Sequence, residues 1–207
     1  KKNIRELARI DNEILDRSKF IRLDKNERTV TFKNQHISEM ILNLEKKDFS
    51  MYPDQSEIYS ILSKFIKIDK SNLLLTSGSD VAIKYIFETF IKEGDRVASL
   101  NPTYEMFNVY AKMFGAEAIK INFNSNLKID ISKILNTIQK SSLLYIANPN
   151  QPTGTIIPII DLKLILEVAK KNSVIVIIDE AYLPFCEQKS SNYLIKRFNN
   201  LIVIQTF

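Results

Sequence analysis

Apolar and polar positions follow two rhythms along this chain, and the second begins near residue 73. Before it, apolar residues recur at helical spacing. Ile4, Leu7, Ala8, Ile14 and Leu15 predict a helix over 4–15, and Ile37, Met40, Ile41 and Leu44 predict another over 36–44. Residues 20–28 between them read as an extended arm. Tyr52-Pro53-Asp54 is a turn signal, and Ile58, Leu62 and Phe65 mark the helix after it.

From Leu73 onward, short apolar runs and amphipathic stretches take turns. The runs at 73–75, 96–100, 116–123, 143–147, 174–178 and 201–205 predict strands. Segments 81–92, 129–139, 160–171 and 193–198 predict helices, as does the stretch opened by Pro102-Thr103-Tyr104 that carries Phe107, Tyr110, Ala111 and Phe114. Gly94 stops the first of these. The run 174–178 is entirely β-branched, too short for a membrane span, and reads as a strand buried on both faces. Strand and helix alternate at least five times. That predicts an α/β fold: a mostly parallel sheet with helices on both faces. The division expected is an N-terminal arm with helices over 1–45 and a domain over 46–207. The first segment lacks the alternation and is expected on the sheet edge or on a partner chain.

Composition narrows the picture. The 207 residues suffice for one good-sized domain, or one domain and part of another; 45% apolar and 26% charged residues are ordinary for a globular protein. The net charge is +5, but the lysines are spread, with pairs only at Lys1-Lys2, Lys46-Lys47 and Lys170-Lys171. Solvated helix faces explain this better than a nucleic-acid surface. A single cysteine, Cys186, forbids an internal disulfide and points to a reducing, cytoplasmic setting. A single histidine, His36, leaves no zinc ligand set, and a Ser-His-Asp triad would have to use that residue in its polar segment. The N-terminus has no apolar signal core, and no run reaches the roughly 20 residues of a transmembrane helix. No metal, membrane or nucleic acid is expected.

The candidate chemistry lies in loops that leave predicted strand ends and so converge. Gly78-Ser79-Asp80 opens a helix. Free N–H groups and a dipole worth roughly 0.3–2 kcal/mol make that an anion site, or Ser79 is simply an N-cap. No Gly-Lys-Ser/Thr follows, so it is not a Walker loop, nor is it a dinucleotide fingerprint. Tyr104 either stacks on a flat ligand or is a core tyrosine. Asn148-Pro149-Asn150-Gln151-Pro152-Thr153-Gly154 fixes a backbone path with amide side chains inside it. Asp179-Glu180-Ala181-Tyr182 follows the buried strand. Asp179 either points into the crevice or caps the next turn.

Taken in order, these motifs resemble the pyridoxal-phosphate-dependent aminotransferases of fold type I, class I/II, and most nearly the histidinol-phosphate aminotransferase group. The resemblance runs from about Leu23 to Phe207, and includes Leu-Asp-Lys-Asn-Glu at 23–27 and Tyr52-Pro53-Asp54. It implies pyridoxal 5'-phosphate as cofactor, a small and possibly phosphorylated amino donor, a keto acceptor, and a homodimer with shared active sites. Asp179 would sit against the pyridine nitrogen, where a carboxylate keeps the ring protonated. Tyr182 would hydrogen-bond the ring's phenolic oxygen, and Tyr104 would stack on the ring. Gly78, Ser79 and Asp80 would hold the phosphate through backbone N–H groups, with the Asp80 side chain turned away. Tyr52 would reach the phosphate of the neighbouring subunit's cofactor. Asn26 and Glu27 would border the substrate.

Two departures stand out. The family usually has Asn before Pro-Thr-Gly, donating to the ring oxygen; Gln151 carries the same amide on a longer stem. The family's Schiff-base lysine lies just after the strand at 201–205, and this chain stops at Phe207. The family's phosphate-binding and substrate-carboxylate arginines and its C-terminal small domain are absent too. The resemblance therefore implies the larger part of a cofactor-binding domain. Two rivals use the same fold: a phospho-amino-acid decarboxylase, and a non-catalytic sensing or dimerisation module.

Overall fold

The computed structural model of the chain describes residues 16–23 and 27–207. The helix expected over 4–15 and the residue Asn26 lie outside the described residues. Among the described residues the backbone divides into two compact units, one up to residue 66 and one over 67–207.

In the first unit, α1 (Asn34–Leu42) and α2 (Ser56–Ile66) are the regular helices. Asp54 starts α2: its carboxylate accepts the Ser56 N–H at 2.8 Å and the Ser56 hydroxyl at 2.9 Å. Neither helix buries a residue. Met40, Ile41, Phe49, Tyr52 and Phe65 are all exposed.

The second unit carries α3 (Ser79–Phe90), β1 (Arg96–Asn101), α4 (Met106–Phe114), β2 (Glu117–Asn122), α5 (Ile131–Ile138), β3 (Leu143–Ala147), α6 (Ile159–Lys171), β4 (Ile175–Asp179) and β5 (Leu201–Ile204). The strands form one sheet in the order β2-β1-β3-β4-β5, and every pairing is parallel. This is the expected α/β architecture. Two expectations fail. Residues 73–75 are not a strand: Leu73 is extended, but the segment pairs with no described strand and Leu74 is 72% exposed. The stretch after β4 forms a 3-10 turn, Asn192–Lys196, where a helix over 193–198 was expected.

Strand alternation splits the core into two layers. On one face Ala98, Leu100, Leu144, Ile146, Val176 and Ile178 meet Ile134 and Ile138 of α5 and Leu162, Ile165 and Leu166 of α6. On the other, Val97, Leu143, Tyr145, Ala147 and Ile177 meet Ile83, Ile86 and Phe87 of α3 and Phe107, Tyr110 and Ala111 of α4. Register aligns Tyr145 with Ile177 and Ala147 with Asp179. Tyr145, Ala147, Ile177 and Asp179 therefore share the α3–α4 face. The strand order reverses between β1 and β3, which is where open parallel sheets bind ligands at their carboxyl edge.

Candidate active site

Ser79, Tyr104, Tyr145, Ala147, Pro149, Gln151, Asp179, Ala181 and Tyr182 line a cavity at that edge. Five of the residues named from sequence thus converge: Ser79, Tyr104, Gln151, Asp179 and Tyr182.

The start of α3 shapes one wall. Gly78 is the N-cap, at φ 87° and ψ 166°, so Ser79 is not the cap but the first helical residue. That backbone conformation is open to glycine and to almost nothing else. No atom lies within 4 Å of where a Cβ on Gly78 would stand. The cavity therefore meets a helix N-terminus and its positive dipole end. The Asp80 carboxylate accepts the Tyr104 hydroxyl at 3.1 Å.

The loop after β3 is held by its own amides. Asn148, buried, accepts the Ile157 N–H at 2.8 Å and donates to the Ile157 carbonyl at 3.1 Å. Asn150, also buried, accepts the Thr103 hydroxyl at 2.7 Å. It donates to the Pro102 carbonyl at 3.0 Å and to the Thr153 hydroxyl at 2.9 Å. Asn148 closes the loop after β3 on itself, and Asn150 ties that loop to the one after β1. Gln151 is the amide left facing the cavity, and its Oε1 is buried with no hydrogen-bond partner.

Asp179 forms the floor, 5% exposed. One carboxylate oxygen accepts the Tyr145 hydroxyl at 2.8 Å and the other the Ala181 N–H at 3.0 Å. The local cap and the crevice position are compatible, because the second oxygen makes the turn. Burial pushes the Asp179 carboxyl above the ordinary aspartate range. The hydrogen bonds from Tyr145 and Ala181 pull it down, and the charges of Glu180 and Asp80 push it further up. Burial, then the Asp179 charge and hydrogen bond, drive the Tyr145 phenol well above its usual value. Among the described residues lining the cavity there is no Lys, Arg or His. The floor is a buried acid compensated only by neutral donors, which suits a flat ligand bearing a proton on a ring nitrogen.

The remaining expected residues lie elsewhere. Gly78 and Asp80 flank the cavity through Ser79 and Tyr104. Tyr52 is fully exposed in the first unit. Glu27, in that unit, pairs with Arg17 and Arg22. Asn26 is outside the described residues. Sequence reasoning missed Tyr145, Ala147, Pro149 and Ala181 as lining residues. Counting back by twos from Asp179 across the β3–β4 register would have found Tyr145 and Ala147. Among the described residues, no His/Cys/Asp/Glu group is arranged to hold a metal and no helix is long and apolar enough to cross a membrane.

A parallel sheet with this edge cavity is the frame of a ligand-binding α/β domain, and the chain belongs to the aminotransferase class I and II family, whose model matches residues 60–207. It is similar to the histidinol-phosphate aminotransferase of Clostridium novyi (strain NT), 30% identical over 190 residues, covering 90% of this chain and 52% of that protein. A second histidinol-phosphate aminotransferase, from Buchnera aphidicola subsp. Schlechtendalia chinensis, is 37% identical over 169 residues, covering 80% and 47%. The crystal structure of histidinol-phosphate aminotransferase from Sinorhizobium meliloti, in complex with pyridoxal-5'-phosphate, shares the fold: TM-score 0.69, 21% identity, covering 77% of this chain and 45% of that one. The chain spans about half the length of the curated relatives it matches.

Proposed function

We propose that this chain is the large cofactor-binding domain, over 46–207 with an N-terminal arm over 1–45, of a cytoplasmic pyridoxal-5'-phosphate-dependent aminotransferase. The observation that carries this is Asp179, a buried carboxylate on the cavity floor with neutral partners only. The Gln151 amide lines the same cavity, and the glycine-opened start of α3 supplies an anion site. These features fit a protonated ring with one polar substituent and one phosphate.

When bound, the cofactor supplies a pyridinium that withdraws electron density from the substrate's α-carbon. Asp179 holds the ring-nitrogen proton. The Gln151 amide and the Tyr182 hydroxyl serve the ring's oxygen. Tyr104 covers the ring face, its hydroxyl steadied by Asp80. The backbone of Gly78, Ser79 and Asp80 takes the phosphate. The names of the relatives support a phosphorylated amino donor of the histidinol-phosphate kind, with a keto acid as acceptor and a place in biosynthesis. Asn26 and Glu27 border that substrate in this reading. Tyr52 reaches the site of a second copy in a homodimer, and the exposed apolar side chains of the first unit support such a covering.

The test is turnover by the full-length protein given pyridoxal 5'-phosphate, histidinol phosphate and a keto acid. Transfer of the amino group to the acceptor is expected. Release of carbon dioxide from a phospho-amino acid without transfer, or bound cofactor with no turnover, would overturn it.

A further inference from the structure

We infer that Tyr145 is a positioning residue that fixes the Asp179 carboxylate and keeps it ionised from beneath the cavity floor. This rests on the reading of the cavity as the pyridoxal-phosphate site.

Strand alternation turns Tyr145 of β3 to the face that Asp179 of β4 shares, two residues along the register. Its side chain is fully buried. The ring stacks on Phe107 of α4 at 4.8 Å between centroids and 20° between planes, and Phe107 meets Phe87 of α3 edge-on at 5.2 Å. Packing thus leaves the ring one place to stand. From there its hydroxyl donates to the Asp179 oxygen at 2.8 Å. A phenol with its proton affinity raised by burial is a donor that does not ionise in the working range.

Among the described residues no other side chain is seen donating to Asp179. Its second oxygen is engaged by the Ala181 N–H. Among the described residues, Glu180 beside Asp179 and Asp80 on α3 push its proton affinity up, Tyr104 after β1 acts on Tyr145, and Tyr182 lines the same cavity. A lysine or arginine at this spot would neutralise the acid and compete with a ring cation. A neutral donor holds the charge and leaves it for the ligand.

A core tyrosine with a satisfied hydroxyl would make the same contact, so the test must read something packing does not move. Tyr145→Phe keeps the stacked ring and removes only the hydroxyl. In the full-length protein without ligand, carboxyl-carbon NMR of Asp179 is followed against pH. The midpoint is expected to rise by about one pH unit, a tenfold gain in proton affinity. The dissociation constant for pyridoxal 5'-phosphate at neutral pH is expected to rise roughly tenfold, the size of one charge-assisted hydrogen bond. In an Asp179→Asn background the same substitution is expected to change affinity little. If Tyr145→Phe loses the fold, fluorotyrosine at position 145, a stronger donor of nearly the same shape, decides: the Asp179 midpoint should fall below that of the wild type. An unmoved Asp179 midpoint with unchanged affinity overturns the inference alone. A wild-type protein that does not bind the cofactor overturns the underlying reading, and the inference with it.

Discussion

Glu180 offers the sharpest test of how the carboxyl edge is held together. It is 3% exposed and carries no role in the chemistry proposed above. Its Oε1 accepts the Ser191 N–H at 2.6 Å and the Ser191 hydroxyl at 2.7 Å. Its Oε2 accepts the Ser190 hydroxyl at 2.6 Å and the Gln205 side-chain amide at 2.9 Å. One carboxylate thus ties the end of β4 to the loop before the 3-10 turn and to the residue just after β5. In Glu180→Ala, Gln205 turns to water, since it is exposed, but Ser191 is fully buried and strands two donors. Each stranded buried donor costs roughly 1–3 kcal/mol. Removal of a buried charge returns part of that, so a net loss of about 2–4 kcal/mol is expected. In Glu180→Gln the carbonyl can keep the Ser191 N–H and hydroxyl, while the new amide donates to the Ser190 hydroxyl in place of the exposed Gln205 amide, which turns to water. That variant should lose only about 1 kcal/mol. Urea unfolding of the ligand-free protein reads both, provided the slope stays constant. Equal losses for Ala and Gln, or an Ala variant as stable as wild type, would refute the reasoning.

Further outcomes follow from single sites. Gly78→Ala meets no neighbour, so its whole effect is conformational: a loss of roughly 1–3 kcal/mol from a backbone region reserved for glycine, with weaker phosphate binding, read by unfolding and by titration with pyridoxal 5'-phosphate. The Asp179 carboxyl is raised in the folded protein, so the folded state holds its proton to higher pH than the unfolded state does. Stability in the ligand-free protein therefore falls as pH rises from the ordinary aspartate value through the folded one. Asp179→Asn should be more stable than wild type at neutral pH, with the gap closing in acid. A variant less stable at neutral pH would contradict that sign.

Much of the fold was legible because the parallel sheet writes itself in long-period alternation. Uniform runs such as Leu143–Ala147 and Ile175–Asp179 are buried on both faces and leave no ambiguity of face. Residues 73–75 misled because strand propensity says nothing about whether a neighbour exists to pair with. The stretch at 192–196 misled because its geometry is set by Ser191 bound to Glu180, a contact between residues 11 apart. The cavity was legible through loops with unusual chemistry: a glycine before a helix, a doubly prolyl amide-rich turn, an acid closing a strand. Tyr145 was not, because in sequence it is one more large residue in a buried run. Only the register of β3 on β4 turns its hydroxyl toward Asp179. Asn148 and Asn150 look the same as Gln151 in sequence. Their partners at Ile157, Pro102 and Thr103 separate the two structural amides from the one that lines the cavity.

The most direct measurement is the protonation of the bound ring. With pyridoxal 5'-phosphate labelled at the ring nitrogen and bound to the full-length protein, nitrogen NMR at neutral pH should report a protonated ring. Asp179→Asn should still bind the cofactor but report an unprotonated one. An unprotonated ring in the wild type, or an identical signal in both proteins, would show that Asp179 does not face the ring nitrogen.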